Sequence, residues 1–520
     1  MRLCGYLVAL LVLATPVGAH ADATTPADAV IATAEELSLD DLLRAAVRAA
    51  PQLQAAAFDV ELARANLRAT KGVEDLTLAI TGGVARVKAP SPLTGDVSTT
   101  DTTSATAALR RLLPTNGTLE LLTTMGSTRT RGATETSGRT ADLTLRLAQP
   151  LLAGVGPATA KVAIRSAAHR RDAATIRRTA SARSFVASVV SSYWQLALAW
   201  RELEVRRSSL EAAKKQLAAI ERGLKTGALA KSEQTPFEQQ IAAQQIDILN
   251  AERDIMLRSL DLRRVVGLEI AASSLAIRTA PLPTATPFAV ETGDLLARAL
   301  AASDELGAAM AELRAARAVA EASQRDLLPR LDLTVEGGIS GAGASVGAAF
   351  GDLDGDAYSI SANVAFELPF GRNTAKGTHA ANRTNIARAR FDLYAQREAI
   401  AADVVRLAYE ARTSQLTLVL GEKEIALAQQ NVEAEQRKFE LGKSTANEIV
   451  RRQNDLENGR LRHAALAASY AITLTELDAA TGEILPRFGI KMRDSAVITD
   501  EEMRRPEAPR AASRAAGAQP

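Results

Sequence analysis

The feature that most constrains this chain is that one pattern is written in it twice. Leu203, Leu210, Leu217 and Leu224 step by seven residues, and Leu418, Ile425, Val432 and Phe439 repeat those steps 215 residues later. The same offset carries Val189-Val190 onto Val404-Val405, Trp194 onto Tyr409, Gly227 onto Gly442 and Glu233 onto Glu448. Upstream the offset is larger. Gly82-Gly83 meets Gly337-Gly338 at 255, and Leu42-Leu43 meets Leu295-Leu296 at 253. The first copy therefore carries an insertion of 40 residues, which falls in the Thr-rich segment around Val84 to Thr140. Two coiled coils share a heptad easily. A heptad with matching caps, glycine pairs and one consistent insertion marks a duplication.

Each copy reads as a helix, a β region, a very long helix, a polar turn and a returning helix. Repeat 1 spans 38–279, with a first helix from about Ser38 to Lys71, a β region at about 74–150, a long helix at 157–226 and a return helix at 232–268. Repeat 2 spans 292–482, with a first helix from about Thr292 to Gln324, a β region at about 330–370, a long helix at 373–441 and a return helix at 447–480. A Pro-rich linker at 280–291 joins them, and 483–520 forms a tail whose Pro/Ala/Arg-rich end is expected to be disordered.

From Pro157 to Arg222 there is no glycine and no further proline. Such a helix would reach on the order of 100 Å. The heptad residues mark a coiled-coil seam, and Phe237, Ile241, Leu249, Leu260, Leu456, Leu474 and Leu477 are the partners expected on the return helices. At the turns, Gly227 and Gly442 suit the residue just past a helix end. Ser232 and Asn447 read as N-caps, with Glu233 and Glu448 in the first turn, where the helix dipole favours negative charge.

The β regions alternate. Leu76, Leu78 and Ile80 face one way; so do Leu143, Leu145 and Leu147, and Leu331, Leu333 and Val335, while Tyr358 to Leu368 alternates throughout. Apolar residues toward lipid and polar ones toward a wet lumen is the pattern of a membrane barrel. A soluble sheet packed on one face has the same period. The context of an export signal and polar faces carrying Arg146, Glu336 and Glu367 favours the barrel. Aromatic girdles are thin: aromatic residues are 3% of the chain, and none lies between Phe58 and Phe185.

The start of the chain reads as a secretory signal over 1–21: Arg2, the apolar run Leu7 to Leu13, and Ala19-His20-Ala21 at the cut, followed by an N-terminal linker at 22–37. The single cysteine, Cys4, precedes the apolar run, so a lipid anchor is not expected and the mature chain has no thiol. No later stretch approaches the roughly 20 apolar residues of a membrane helix, so membrane entry requires a closed barrel. Lys+Arg and Asp+Glu number 62 and 60, which gives no basic field for nucleic acid.

Chemistry-bearing motifs are absent. Leu441-Gly442-Lys443-Ser444-Thr445 resembles the end of a phosphate loop, but Arg437 stands where that loop needs glycine. Asp352, Asp354 and Asp356 lack the glutamate that closes a calcium loop. His169, His379 and His463 lack ligand spacing. The expectation is no enzyme, no cofactor and no metal.

These residues resemble the TolC-type outer-membrane efflux proteins over nearly all of the mature chain. The marks are Pro51-Gln52-Leu53, the strand-end motif Gln149-Pro150-Leu151-Leu152 with its counterpart Glu367-Leu368-Pro369-Phe370-Gly371, and the Gly-x(4)-Ser/Asn-Glu turn at Gly227 and Gly442. The family usually has Asp where Glu233 and Glu448 stand, and Asp304 replaces the proline expected opposite Pro51. The resemblance implies a mainly helical fold with membrane β: a homotrimer in which each protomer gives four strands to one shared barrel while long antiparallel helices form a periplasmic tunnel. It implies a passive duct, with an inner-membrane pump and a periplasmic adaptor as partners, set in outer-membrane lipid. The tips, Gly227 to Glu233 and Gly442 to Glu448, would meet the adaptor and form the gate. Leu113-Pro114-Thr115-Asn116-Gly117, followed by alternating Leu119, Leu121 and Met125, suggests that the insertion adds a hairpin, giving six strands; a long extracellular loop is the other possibility. The contrasting functional reading is a soluble periplasmic coiled-coil adaptor or scaffold.

Overall fold

The computed structural model describes residues 34–90, 97–132, 135–225, 230–268, 270, 275–284 and 291–490. The predicted signal peptide and most of the tail lie outside them. Strands are β1 Glu35–Glu36, β2 Thr77–Pro90, β3 Val97–Leu112, β4 Thr118–Arg131, β5 Thr136–Pro150, β6 Ile277–Arg278, β7 Arg330–Gly343 and β8 Tyr358–Glu367. Helices are α1 Leu39–Ala49, α2 Pro51–Lys71, α3 Pro157–Ala160, α4 Val162–Lys225, α5 Thr235–Val266, α6 Thr292–Ala302, α7 Asp304–Arg325, α8 Val346–Gly351, α9 Asn373–Glu440, α10 Ala446–Ala480 and α11 Ile484–Arg487. No described helix is long and apolar enough to cross a membrane.

The chain forms two compact units. One comprises Met1–Ala50, Ser188–Phe288 and Glu410–Thr473, and the other Pro51–Ala187, Ala289–Tyr409 and Leu474–Pro520. The first unit is helical, with a small parallel pairing of β1 with β6. Its core holds Leu42, Leu43, Tyr193, Leu196, Leu203, Ile255, Leu262 and Ile277. The Tyr193 hydroxyl accepts from the Ala280 amide at 2.7 Å, tying the Pro-rich linker to α4.

The second unit carries the sheet, in the order β2-β3-β4-β5-β7-β8, antiparallel throughout. Directly paired residues share a face, so the register sorts the side chains. One face carries Leu78, Leu109, Leu121, Leu145 and Ile360 along a row through Gly337. The other face carries Arg110, Glu120, Arg146, Glu336 and Ser361. On it Arg146 Nε lies 2.5 Å from Glu336 and its Nη1 3.8 Å from Glu120. Thr106 and Thr124 hydroxyls meet at 3.3 Å across β3 and β4. The apolar face ends in charge. Asp101, paired with Arg86 and Arg131, closes it on one side, and Arg111 on the other. Ten residue steps of β3 separate those limits, roughly 33 Å along the strand; at the ~40° tilt of a membrane barrel this would span about 25 Å, the height of such a barrel's lipid-facing band.

Two expectations change. The first helix of each repeat is broken. Ala50 turns out of the helix with ψ 121° because Pro51 disfavours α geometry in the residue before it. In repeat 2 Ser303 makes the same turn at ψ 115°, and its hydroxyl accepts from the Leu306 amide to cap α7 at Asp304. A serine cap thus performs in repeat 2 the break that proline performs in repeat 1. Second, the four strands that the resemblance implies become six, as the turn signal at Leu113 to Gly117 suggests: the inserted segment is the β3–β4 hairpin and not a long loop. The two faces predict unequal tolerance. Leu143→Arg, mid-band on the apolar face, should cost roughly 2–4 kcal/mol, whereas Thr144→Arg on the polar face should cost far less. Urea unfolding in lipid vesicles measures the difference.

Candidate functional site at the helix-hairpin tips

Each long helix turns back on itself, α4 into α5 and α9 into α10, and both turns belong to the helical unit. In the second turn Gly442 takes φ 69°, a left-handed conformation that glycine adopts without steric cost. Its amide donates to Phe439 O at 2.9 Å and the Lys443 amide to Lys438 O at 2.8 Å, closing the end of α9. Ser444 donates to Glu435, and Lys438 Nζ lies 3.1 Å from the same carboxylate. The Ser444 hydroxyl, then Lys438, hold Glu435 below the usual glutamate range. The phosphate-loop-like stretch is this turn. Gly227, the corresponding residue of the first turn, lies outside the described residues.

The N-caps are not those the sequence suggested. Ser232 sits in a 3-10 turn, Lys231–Glu233, and α5 starts three residues later at Thr235. A helix capped by Ser232 would need the amide of residue 236 for its first backbone bond, and Pro236 has none. Starting at Thr235 puts Pro236 in the first turn, where its missing amide is harmless. Asn447 also lies inside its helix, because α10 starts at Ala446 and Thr445 O accepts the first amides. The free amide of Ala446 is capped from the other hairpin: Glu233 Oε2 accepts it at 2.7 Å. Glu448 is in the first turn of α10, 3.8 Å from Arg452.

Packing joins the two tips. Ile220 and Phe237 of repeat 1 form one apolar cluster with Ala446 and Ile449 of repeat 2, flanked by Leu217, Leu224, Phe439 and Val450. Of the remaining seam residues, Leu203, Leu418 and Val432 are buried and Leu210 and Ile425 half-buried. Two expected partners differ: Leu249 and Leu260 of α5 are exposed.

Above the tips the contact between repeats turns polar. Gln240 Nε2 donates to Asn454 at 3.2 Å and Gln244 Nε2 to Glu457 at 3.1 Å. Arg206 lies 2.6 Å from Asp247 and 3.9 Å from Glu457. Burial pushes the Glu457 carboxyl up, against the Gln244 amide and Arg206. These residues escaped the sequence reading because their offset partners differ: Gln244 corresponds to Gly459 and Glu457 to Ala242.

The strand-end motifs lie in the other unit. Gln149 accepts from Thr115 Oγ1 at 2.6 Å and donates to Thr115 O at 3.2 Å, while Pro150 ends β5 and the Leu151 amide pairs with Leu331 O. In repeat 2, Pro369 follows β8, Phe370 is fully exposed and Gly371 takes φ 88°. Among the described residues no cluster of three or more His, Cys, Asp or Glu is arranged for a metal. Asp352 accepts the Ala342 amide and Asp354 that of Asp356, so these aspartates serve their own loop.

Residues 295–483 match the family model of the outer membrane efflux proteins. No curated protein sequence matches the chain. Its fold is similar to solved outer-membrane channels. OprN is 15% identical, the match covering 86% of this chain and 90% of that one at a TM-score of 0.65. VceC of Vibrio cholerae is 16% identical, with coverage of 88% and 97% and a TM-score of 0.62. The open state of MtrE of Neisseria gonorrhoeae is 15% identical, with coverage of 86% and 89% and a TM-score of 0.62.

This geometry sets two expectations. Glu233→Ala should remove about 1 kcal/mol of capping from α10, and trypsin cleavage at Lys443 should quicken about fivefold. For Glu457 the pKa is raised in the folded state, so its contribution is full at low pH and is lost as pH rises through the folded pKa. Glu457→Gln should therefore match the parent in acid and exceed it in stability at neutral pH. Thermal unfolding in detergent across that range reads both limbs.

Proposed function

We propose that this chain is a TolC-type outer membrane efflux protein and serves as the passive outer-membrane duct of a three-part export system, a reading that the family match over residues 295–483 and the likeness of fold support. An inner-membrane pump supplies the energy and a periplasmic adaptor joins pump to duct. The observation that carries this reading is the sheet with one apolar and one polar face, open at both edges. Among the described residues β2 and β8 end the strand order, and each has one neighbour. In lipid an open edge leaves backbone groups without partners, so the sheet requires further copies to close it. A homotrimer closes the ring β8 to β2 at three equivalent seams.

The tips fit the gate of such a duct. The shared cluster and the Glu233 cap hold the hairpins of one protomer together, and opening is a shift of population when partners bind. The adaptor would meet the chain at the turns around Lys231–Glu233 and Gly442 to Glu448. Nothing in this geometry calls for catalysis. The exported compound is a small molecule or a secreted polypeptide.

Membrane fractionation tests the reading. The duct stays in the outer membrane until detergent is added and then runs as a trimer. A buffer-extractable monomer would replace it with the soluble scaffold. Leu210→Asp combined with Ile425→Asp should unpair the long helices and abolish export, seen as drug hypersensitivity in cells that depend on this duct. Unchanged sensitivity would count against the helical tunnel as the conducting path.

A further inference from the structure

The inserted hairpin changes what the duct presents to the outside. We propose that β3 and β4 are strands of the barrel wall, so that three copies close an 18-stranded barrel with a mouth about half as wide again as four strands per protomer would give. This rests on the trimeric reading above. Neighbouring strands lie ~4.8 Å apart, so at ~40° tilt 18 strands give a backbone diameter of roughly 36 Å, against roughly 24 Å for 12.

Three observations put the hairpin in the wall and not in a loop. First, it is paired on both sides along its length: β3 with β2 from Val97 to Arg110, and β4 with β5 from Thr118 to Thr130. A loop has no reason to hold both ladders. Second, its faces continue those of the other strands. Leu109 and Leu121 stand in the apolar row between Leu78 and Leu145, and Arg110 and Glu120 extend the charged row that begins at Glu336 and Arg146. The Arg86–Asp101–Arg131 cluster spans β2, β3 and β4 at the same edge of the apolar band. Third, the turn of the hairpin is built into the strand-end corner. Asn116 takes φ 67°, and its amide nitrogen Nδ2 donates to Gly154 O at 2.8 Å. The Gly156 amide donates to Thr115 O at 2.9 Å, and Gln149 holds Thr115 from both ends. A Cβ at Gly117 would lie 2.9 Å from the Ala148 carbonyl oxygen, a backbone atom that cannot swing aside, as well as 2.5 Å from Gln149 Oε1, so glycine suits the turn as it sits. Gln149 is thus a positioning residue for the extra hairpin.

Cysteine labelling in intact cells tests the proposal, since the only native cysteine is Cys4. Single cysteines are placed at Thr102, Ser104 and Thr106, and at Thr103, Ala105 and Ala107. A membrane-impermeant maleimide should label the first, lumenal set and not the second. Uniform labelling of both sets would make the hairpin a loop and overturn the proposal. Recovery of the protein in the soluble fraction would instead remove the trimeric duct on which it rests. A second measurement reads the width. Maleimide-polyethylene glycols of graded mass are added to cells carrying Thr144→Cys, with and without deletion of residues 97–131. Excision should lose labelling by the larger reagents while keeping that by the small ones. An unchanged mass limit in a folded trimer would refute the wider mouth. If the excised protein fails to assemble, the alternation in the full chain decides.

Discussion

Backbone hydrogen bonding in lipid is the constraint on which the rest of this structure depends. A strand surrounded by hydrocarbon must pair on both sides, and among the described residues the first and last strands of this sheet each pair on one. On the proposed reading, the deficit at β2 and β8 is what further copies of the chain make good. It explains why every residue of β2 and β8 is exposed while the inner strands are largely half-buried. The apolar face, with Ile80, Tyr358, Ile360 and Phe366 open to the surroundings, would be an aggregation surface in water. In the proposed duct, lipid covers it.

In the proposed duct the helical unit meets a different demand, since the contacts of a gate hold and yet rearrange. The repeats solve this unequally. Within one chain Glu233 caps α10, and Gln244, Glu457 and Arg206 form a polar contact between hairpins. The offset equivalents of Gln244 and Glu457 are Gly459 and Ala242, which cannot form it. A seam between protomers that followed the repeat would therefore lack this contact. Buried polar groups specify one arrangement at a cost in desolvation. Their restriction to one of two related positions separates a contact built to persist from one free to part.

How much of this was legible in the sequence follows from the period of each signal. The helices were readable because Leu203 to Leu224 and Leu418 to Phe439 repeat over several turns, and the structure places α4 and α9 over them. The strand faces were readable from the alternation of Leu143, Leu145 and Leu147. Non-periodic features were less so. The helix break at Ser303 rests on one hydroxyl, and nothing in spacing distinguishes it from any exposed serine. Ser232 has the residue type of an N-cap, but Pro236 sets where α5 begins; Asn447 has it too, but α10 already starts at Ala446. The Glu233 cap on Ala446 joins residues 213 apart, and no local pattern announces it. Sequence reasoning recovers what a single element needs. It does not recover which element supplies another's missing partner.

The insertion shows why the strands of this duplication vary while its helices do not. An antiparallel hairpin adds two strands and returns the chain to its original direction, so β5 leaves the sheet as it would without β3 and β4. The cost is confined to one turn, met by Gln149, Asn116 and Gly117. An insertion in α4 of any length other than a whole heptad would rotate the seam, turning Leu217 and Leu224 away from the cluster they share with Phe237 and Ile449. The fixed offset of 215 through the helices and the shifted offset upstream are the record of that difference. A sheet accepts change in units of two strands and a coiled coil in units of seven residues. In the proposed duct the width of the mouth is therefore the dimension that can change while the register of the helices stays fixed.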